Sequence, residues 1–333
     1  VSTSDNAGRH RRGLGTSGTP GSGRGFEHAA LFYDDEAQFV TGVVDHVREG
    51  LEVEDAVVIA LPGEHLGPLR DALGGDAGAV VLQDVRRLGP NPARLVPALH
   101  RFMDEHPDRR VRAVGGGLWP DRPAEERAAY LQHDALTNVA FADRPVTMLC
   151  PYDTRSLDPD VLADVRAAHP LLVEGGAPVT NVTYADPAKL AETVLGPLPE
   201  PPDLGETLVY TAPHGPRAVR RAVADHAAGA GLSADRVADL CLAVHEVAVN
   251  TIVHTEGPGI LSLWHTDDRV VAEIQDSGHV ADPLAGRHPP EDADGRGYGL
   301  FLTHRLCDLV RLHSSEDGGT TVRMTMYLDG RPR

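Results

Sequence analysis

Between residues 26 and 186, short continuous apolar runs alternate with amphipathic stretches of helical length. That alternation restricts the fold more than any other property of the chain. The runs 29–32, 56–60, 79–82, 111–114 and 146–150 read as strands, and the stretches 36–51, 64–73, 92–105, 124–138 and 159–168 read as helices. Strands separated by helices of this length predict an α/β fold, a doubly wound and mostly parallel sheet covered on both faces. The run from Ala56 to Leu61 is uniformly apolar, as befits a strand buried on both faces; a half-exposed strand would alternate.

The flanks differ in composition. Residues 1–25 are rich in Gly, Ser, Thr and Arg without apolar periodicity, and read as a disordered leader. Residues 187–207 gather Gly196, Pro197, Pro199, Pro201 and Pro202, a stiff linker by composition. A second domain is expected over 208–328. It opens with helices at 216–228 and 234–253, followed by a hairpin at 260–264 and 270–275. A polar loop (276–298), a helix (299–309) and a last hairpin (310–314, 320–328) complete it. Helices then cover one face of a largely antiparallel sheet.

The formal net charge is −18 and Lys189 is the only lysine, so no basic face for nucleic acid is evident and direct nucleic-acid binding is not expected. No apolar run approaches the roughly 18–20 residues needed to span a bilayer, and no signal-peptide core opens the chain. A cytoplasmic location away from membranes is the expectation. Cys150, Cys241 and Cys307 stand far apart among apolar residues and read as buried free thiols. The 17 histidines show no zinc-ligand spacing, so no structural metal is expected.

Three features of the second domain carry chemistry. Glu246, Asn250 and His254 recur every four residues, on one polar stripe of a helix whose core face runs through Leu240, Val244, Val247 and Thr251. Alone, the stripe is better explained as a solvated face. Asp276-Ser277-Gly278 ends a strand, where a carboxylate can meet a ligand, and alone it is a turn. Gly295-Arg296-Gly297-Tyr298-Gly299-Leu300 opens a helix, where exposed N–H groups bind phosphate oxygens.

In this order the three resemble the nucleotide motifs of the GHKL ATPase superfamily, and within it the anti-sigma-factor serine/threonine kinases. HEVAVNTIVH resembles the N box, DSG the first glycine motif, GRGYGLFLTHRLCD the second and GGTTV the last, together covering roughly the final 120 residues. The resemblance implies an α/β two-layer sandwich of the GHKL (Bergerat) type that binds ATP and Mg2+. Asn250 would hold the magnesium, and Glu246 would act as general base toward a partner's Ser or Thr. Asp276 would accept the adenine amino group, with Gly278 beside the base and Thr320 or Thr321 behind it. Gly295, Arg296, Gly297, Gly299 and Leu300 would line the phosphates beneath a mobile lid, and His254 would complete the stripe.

Two departures from the pattern stand out: Val280 replaces the second glycine of DxGxG, and the lid is long. The implied function is a signal-responsive anti-sigma factor that phosphorylates an antagonist protein. Its rival is a non-catalytic nucleotide-binding adaptor that sequesters a sigma factor or other regulatory partner. Homodimerisation through the C-terminal domain is an expectation from the family. His245-Glu246 imitates a phosphoacceptor pair but lies inside the nucleotide helix.

The first domain has no GxxxxGK[ST] loop. HAALFYDDEAQF, LWP at 118–120, LTNVAF, LCPYD and His169-Pro170 resemble the MEDS sensory domain, which implies a RecA-like fold without a phosphate loop and a small-molecule ligand. His28, Tyr33, Trp119, Tyr152, Asp153 and His169 are candidate pocket residues at the sheet's C-terminal edge. Each is about as well explained by capping or core packing.

Overall fold

The computed structural model describes residues 25–116, 118–174, 176–202, 205–289 and 297–328; the segment read as a disordered leader lies, but for Gly25, outside them. Two sheets organise the chain. The first is assembled from β1 (Glu27–Tyr33), α1 (Glu36–Glu52), β2 (Ala56–Leu61), α2 (Gly63–Leu73), β3 (Val80–Asp84), α3 (Leu95–Asp104), β4 (Val111–Gly115), α4 (Ala124–Ala140), β5 (Val146–Asp153), α5 (Pro159–Ala168), β6 (Leu171–Glu174), β7 (Ala177–Thr180) and α6 (Pro187–Leu195). Its strand order is β3-β2-β4-β5-β1-β6-β7, parallel throughout except for the terminal β6–β7 pair.

Burial explains why these residues form strands. In β2, Val57, Ile59 and Leu61 join a core with α1 and α2, while Ala56 faces a second core with Val96, Val111 and Phe141. Helix α1 is started by Asp35, whose carboxylate accepts the Gln38 N–H at 2.7 Å, a cap worth about 1 kcal/mol.

The proline-rich segment begins with helix α6, whose Ala191 is buried with Ala135, Leu136 and Ala168. The prolines suppress helix only after Gly196, whose positive φ of 51° ends it. The hairpin β6–β7 was also not foreseen, because its strands of four residues are too short to show a period.

The second sheet comprises β8 (Glu206–Tyr210), β9 (Gly259–His265), β10 (Arg269–Asp276), β11 (Leu309–Ser315) and β12 (Gly319–Tyr327), with α7 (Gly215–Gly229), α8 (Ala234–His254) and α9 (Tyr298–Leu306). The order is β11-β12-β10-β9-β8, all antiparallel. Alternation along β10 and β12 sends Val270, Ala272, Ile274, Val322, Met324 and Met326 into the core that α7 and α8 complete. The opposite face is polar yet covered: Arg323 donates from Nε to the buried Glu273 carboxylate at 2.6 Å, and also to the Pro199 carbonyl. Helix α8 has 21 residues, and its most apolar 18-residue stretch has a mean hydropathy of 1.3, long and apolar enough by length and composition to cross a membrane, which the longest apolar run in the sequence did not suggest. Here its apolar face, through Leu240, Val244 and Val247, forms a wall of that core.

The two sheets are joined by specific contacts. Arg94, in the turn before α3, donates to the carbonyls of His304 (3.2 Å), Arg305 (3.0 Å) and Cys307 (2.6 Å), and Asn91 Nδ2 donates to the His304 carbonyl at 2.9 Å. These are the last carbonyls of α9, which have no partner within their own helix, and the cation suits that end of the helix dipole. On another side Tyr327 donates its hydroxyl to Glu126 at 2.6 Å, and Arg269 pairs with Glu125 at 3.4 Å.

Candidate nucleotide site

The polar stripe of α8 stands where α9 begins. Asn250 and Glu246 are half-buried, and among the described residues neither side chain has a hydrogen-bond partner. Both converge on Gly299: a Cβ there would lie 3.2 Å from Glu246 Oε2 and 3.3 Å from Asn250 Nδ2. A Cβ at this position would crowd the ends of both side chains. Gly297, at φ 90°, turns the chain into the helix, a conformation that glycine adopts without steric cost. Gly295 and Arg296 lie outside the described residues. His254 is exposed at the end of α8, and Leu300 packs partly against the core.

Asp276 ends β10 directly opposite Thr320 of β12. Its Oδ2 accepts the Thr251 hydroxyl at 2.6 Å and its Oδ1 accepts the Gly278 N–H at 2.8 Å. Thr251 in turn accepts the Tyr210 hydroxyl at 3.0 Å. Burial pushes Tyr210 up to about 12, which keeps it a donor. The carboxylate is therefore held in one orientation, with acceptor capacity left on each oxygen. Thr320 donates to the Gly278 carbonyl at 2.9 Å and meets the Ser314 hydroxyl at 2.8 Å, while Ser314 accepts the Val280 N–H at 2.8 Å. The valine that replaces a glycine is thus fixed by a strand neighbour.

Sequence reasoning missed Tyr210, Thr251 and Ser314. Thr251 was assigned to the core face of α8; a hydroxyl on an otherwise apolar face was the available signal, since a buried polar group needs a partner. The resemblance also implied a mobile lid. Its described part is seated on the first domain: Leu284 packs on the cluster of Ala135, Leu136, Ala168 and Ala191, and Arg287 donates to Gln132 at 2.7 Å. Beside it a cavity of about 520 Å3 separates α4 and α6 from residues 279–287 and β11, with Lys189 on its wall.

The six sensory candidates do not share one pocket. His28, Tyr152 and His169 cluster, fully buried, on one face of the first sheet. Tyr33 packs on Phe39 at the end of β1, and Asp153 accepts the Arg155 N–H at 2.9 Å. Trp119 lies between the guanidinium groups of Arg86 and Arg122, 5.1 and 4.2 Å from its ring. Alternation explains the split, because His28 and Tyr33 differ by an odd number of residues and point to opposite faces of β1. Cys150, Cys241 and Cys307 are buried free thiols.

Motif-bearing helices over an antiparallel sheet, behind a sheet that is mostly parallel, make a protein of two α/β units, and each unit matches a known family. The family described as "MEthanogen/methylotroph, DcmR Sensory domain" (MEDS) matches residues 27–170, and the "Histidine kinase-like ATPase domain" family matches 211–326. The chain is 31% identical over 122 residues to the serine-protein kinase RsbW of Halalkalibacterium halodurans, covering 33% of this chain and 74% of that protein. It is 30% identical over 126 residues to RsbW of Bacillus velezensis (34% and 78%) and 28% identical over 126 residues to RsbW of Bacillus subtilis (34% and 78%). Through its C-terminal domain the chain belongs to the family of the RsbW serine-protein kinases.

Proposed function

We infer that residues 208–328 bind ATP and Mg2+ and transfer the γ-phosphoryl group to a Ser or Thr of a protein antagonist. The molecule would thereby act as a signal-responsive anti-sigma factor in the cytoplasm. The observation that carries this reading is the convergence on Gly299 of the Glu246 and Asn250 side chains, which have no hydrogen-bond partner among the described residues, beside an Asp276 already oriented by Thr251 and Gly278. The donor set fits the group: Asn250 offers a hard amide oxygen of the kind magnesium takes alongside substrate phosphates. Bound there, magnesium would neutralise charge on the phosphate oxygens. Glu246 would accept the proton of the partner's hydroxyl, and Asp276 would accept the adenine amino group. The N–H groups at the start of α9 would point at the phosphates. The reading takes the C-terminal unit as a Bergerat-type sandwich behind a RecA-like sensory domain, with a small molecule as the signal, a sigma factor as a further partner and a homodimer as the assembled form. The Arg94 and Arg287 contacts supply the route from sensor to site.

Calorimetric titration with ATP, with and without magnesium, tests the site. Saturation should require magnesium, and Asn250→Ala should remove that requirement together with most of the affinity. An unchanged Asn250→Ala titration would overturn the assignment. Glu246→Gln should bind ATP normally and slow transfer to a cognate antagonist by about 100-fold or more. The second reading, sequestration of a partner without phosphoryl transfer, is favoured by the fixed Val280. It predicts saturation by ATP with no transfer to any co-purified partner.

A further inference from the structure

The first sheet carries a second, unrelated constellation. His28 lies near the start of β1, Cys150 in the middle of β5, and His169 at the end of α5, two residues before β6. Because β1 pairs with both β5 and β6, the three meet on one face of the sheet, all buried. One ligand atom from each lies within 4.8 Å of the others. Ala30, opposite Cys150 in the register, is small enough to leave space between the strands' side chains.

Hydrogen bonding dictates what the two imidazoles present. The Asn138 amide spends its NH2 on the carbonyls of Ala168 (2.8 Å) and Ala135 (3.1 Å), so its Oδ1, 3.2 Å from His28 Nδ1, can only accept. His28 Nδ1 therefore carries the proton, and its bare Nε2 faces Cys150 Sγ at 3.3 Å. His169 Nδ1 must likewise be protonated, since it lies 2.7 Å from the Val165 carbonyl, so its Nε2 is also bare and directed inward. Beside it, at 3.4 Å, is the Tyr152 oxygen, whose own proton goes to Asp134 at 2.6 Å. Two imidazole lone pairs and one sulfur thus face a common point with a single thiol proton among them. Outer partners that fix both ring tautomers in this way are the arrangement that metal-ligating histidines require.

The geometry points to a metal site in the first domain, with His28 Nε2, His169 Nε2 and Cys150 Sγ binding one borderline-soft divalent ion, zinc foremost. Two nitrogens and a thiolate match zinc's ligand preference, and an ion drawn between atoms this close reaches the usual distances of about 2.0–2.1 Å to nitrogen and 2.3 Å to sulfur with small side-chain adjustments. Tyr152 would stand beside the fourth position, and a cavity of about 80 Å3 borders Cys150 from the side of Val114 and Met148. Binding is written Cys150–SH + M2+ → Cys150–S–M+ + H+, with no change of oxidation state and the proton released to solvent. The expectation of no structural metal rested on ligand spacing along the chain, which strand pairing bypasses.

The test uses the full chain, tag-free and stripped by chelator, titrated anaerobically with Co2+. A thiolate-to-cobalt charge-transfer band should grow to saturation at one ion per chain, with one proton released per ion, and Zn2+ should bleach it. Cys150→Ser should abolish the band, whereas Cys241→Ser should keep it. Asn138→Ala should weaken binding about 10–100-fold. X-ray absorption of the zinc-loaded wild-type chain needs no variant, and should show one sulfur and two imidazole nitrogens. No uptake at stoichiometric metal, a band that survives Cys150→Ser, or a zinc shell without sulfur would each overturn the assignment. None of these readouts involves nucleotide.

Discussion

A single glycine shows how little room the candidate nucleotide site leaves. Gly299 lies inside α9, where alanine would ordinarily stabilise a helix by about 0.5–1 kcal/mol. Its missing Cβ is the space into which Glu246 and Asn250 converge. Gly299→Ala should therefore leave the urea midpoint unchanged or raise it, yet weaken ATP binding at least about tenfold, a loss of about 1.4 kcal/mol. Equal losses of stability and affinity would mean that the glycine serves packing alone. At this scale Glu246, Asn250 and Asp276 were legible because their motifs lie in a fixed order within short segments. Tyr210 and Ser314 were not, because Tyr210 meets Thr251 only where α8 packs on β8, and Ser314 meets Thr320 only through strand pairing. The same holds for Cys150, which looked like any apolar-flanked thiol until β1, β5 and α5 placed two histidines beside it.

At the scale of elements, α9 is held at both ends by different parts of the chain. Its first turn meets the stripe of α8, and its last carbonyls are bonded by Arg94 and Asn91 from the other sheet. Hydrogen bonds from a cation are worth about 1.5–3 kcal/mol, so Arg94→Ala should destabilise by that order. It should also raise the ATP dissociation constant several-fold, because the helix start loses its fixed position. Hydrogen exchange of the α9 amides checks the first step and calorimetry the second. Affinity unchanged alongside faster exchange would show that α9 is positioned by α8 alone. Helices and long strands were readable from apolar period, with ends displaced by a few residues. The pieces that were missed, α6, β6, β7 and β8, are short or lie in proline-rich surroundings, where tertiary packing decides the structure.

For the whole molecule, burial of neutral histidines sets the response to acid. Burial foremost brings His46 and His304 down to about 3 and His100 to about 4. Nearby cations add to this: Arg112 for His46, Arg287 and Arg94 for His304, and His288 with Arg144 for His100, which Asp104 opposes in part. The unfolded chain takes up these protons first, near pH 6.5. Stability is therefore complete above that value and falls as the pH drops through 6.5 toward 3–4. Each group contributes a slope of at most about 1.4 kcal/mol per pH unit. The urea midpoint should accordingly be lower at pH 5.5 than at 7.5, and His304→Gln should flatten the dependence by one proton. A midpoint that is level across this range would exclude the mechanism. His304 and His100 stand where the two sheets meet, so acid should loosen that junction along with the cores.

One feature of the composition acquires a practical meaning from the fold. The only lysine side chain stands exposed on α6, at the wall of the cavity between the sensory domain and the lid stem. Amine-directed chemistry on side chains therefore has a single address, at the place where the two halves of the molecule face one another. A dye attached there would report directly, in brightness or lifetime, whether metal, nucleotide or acid opens that space.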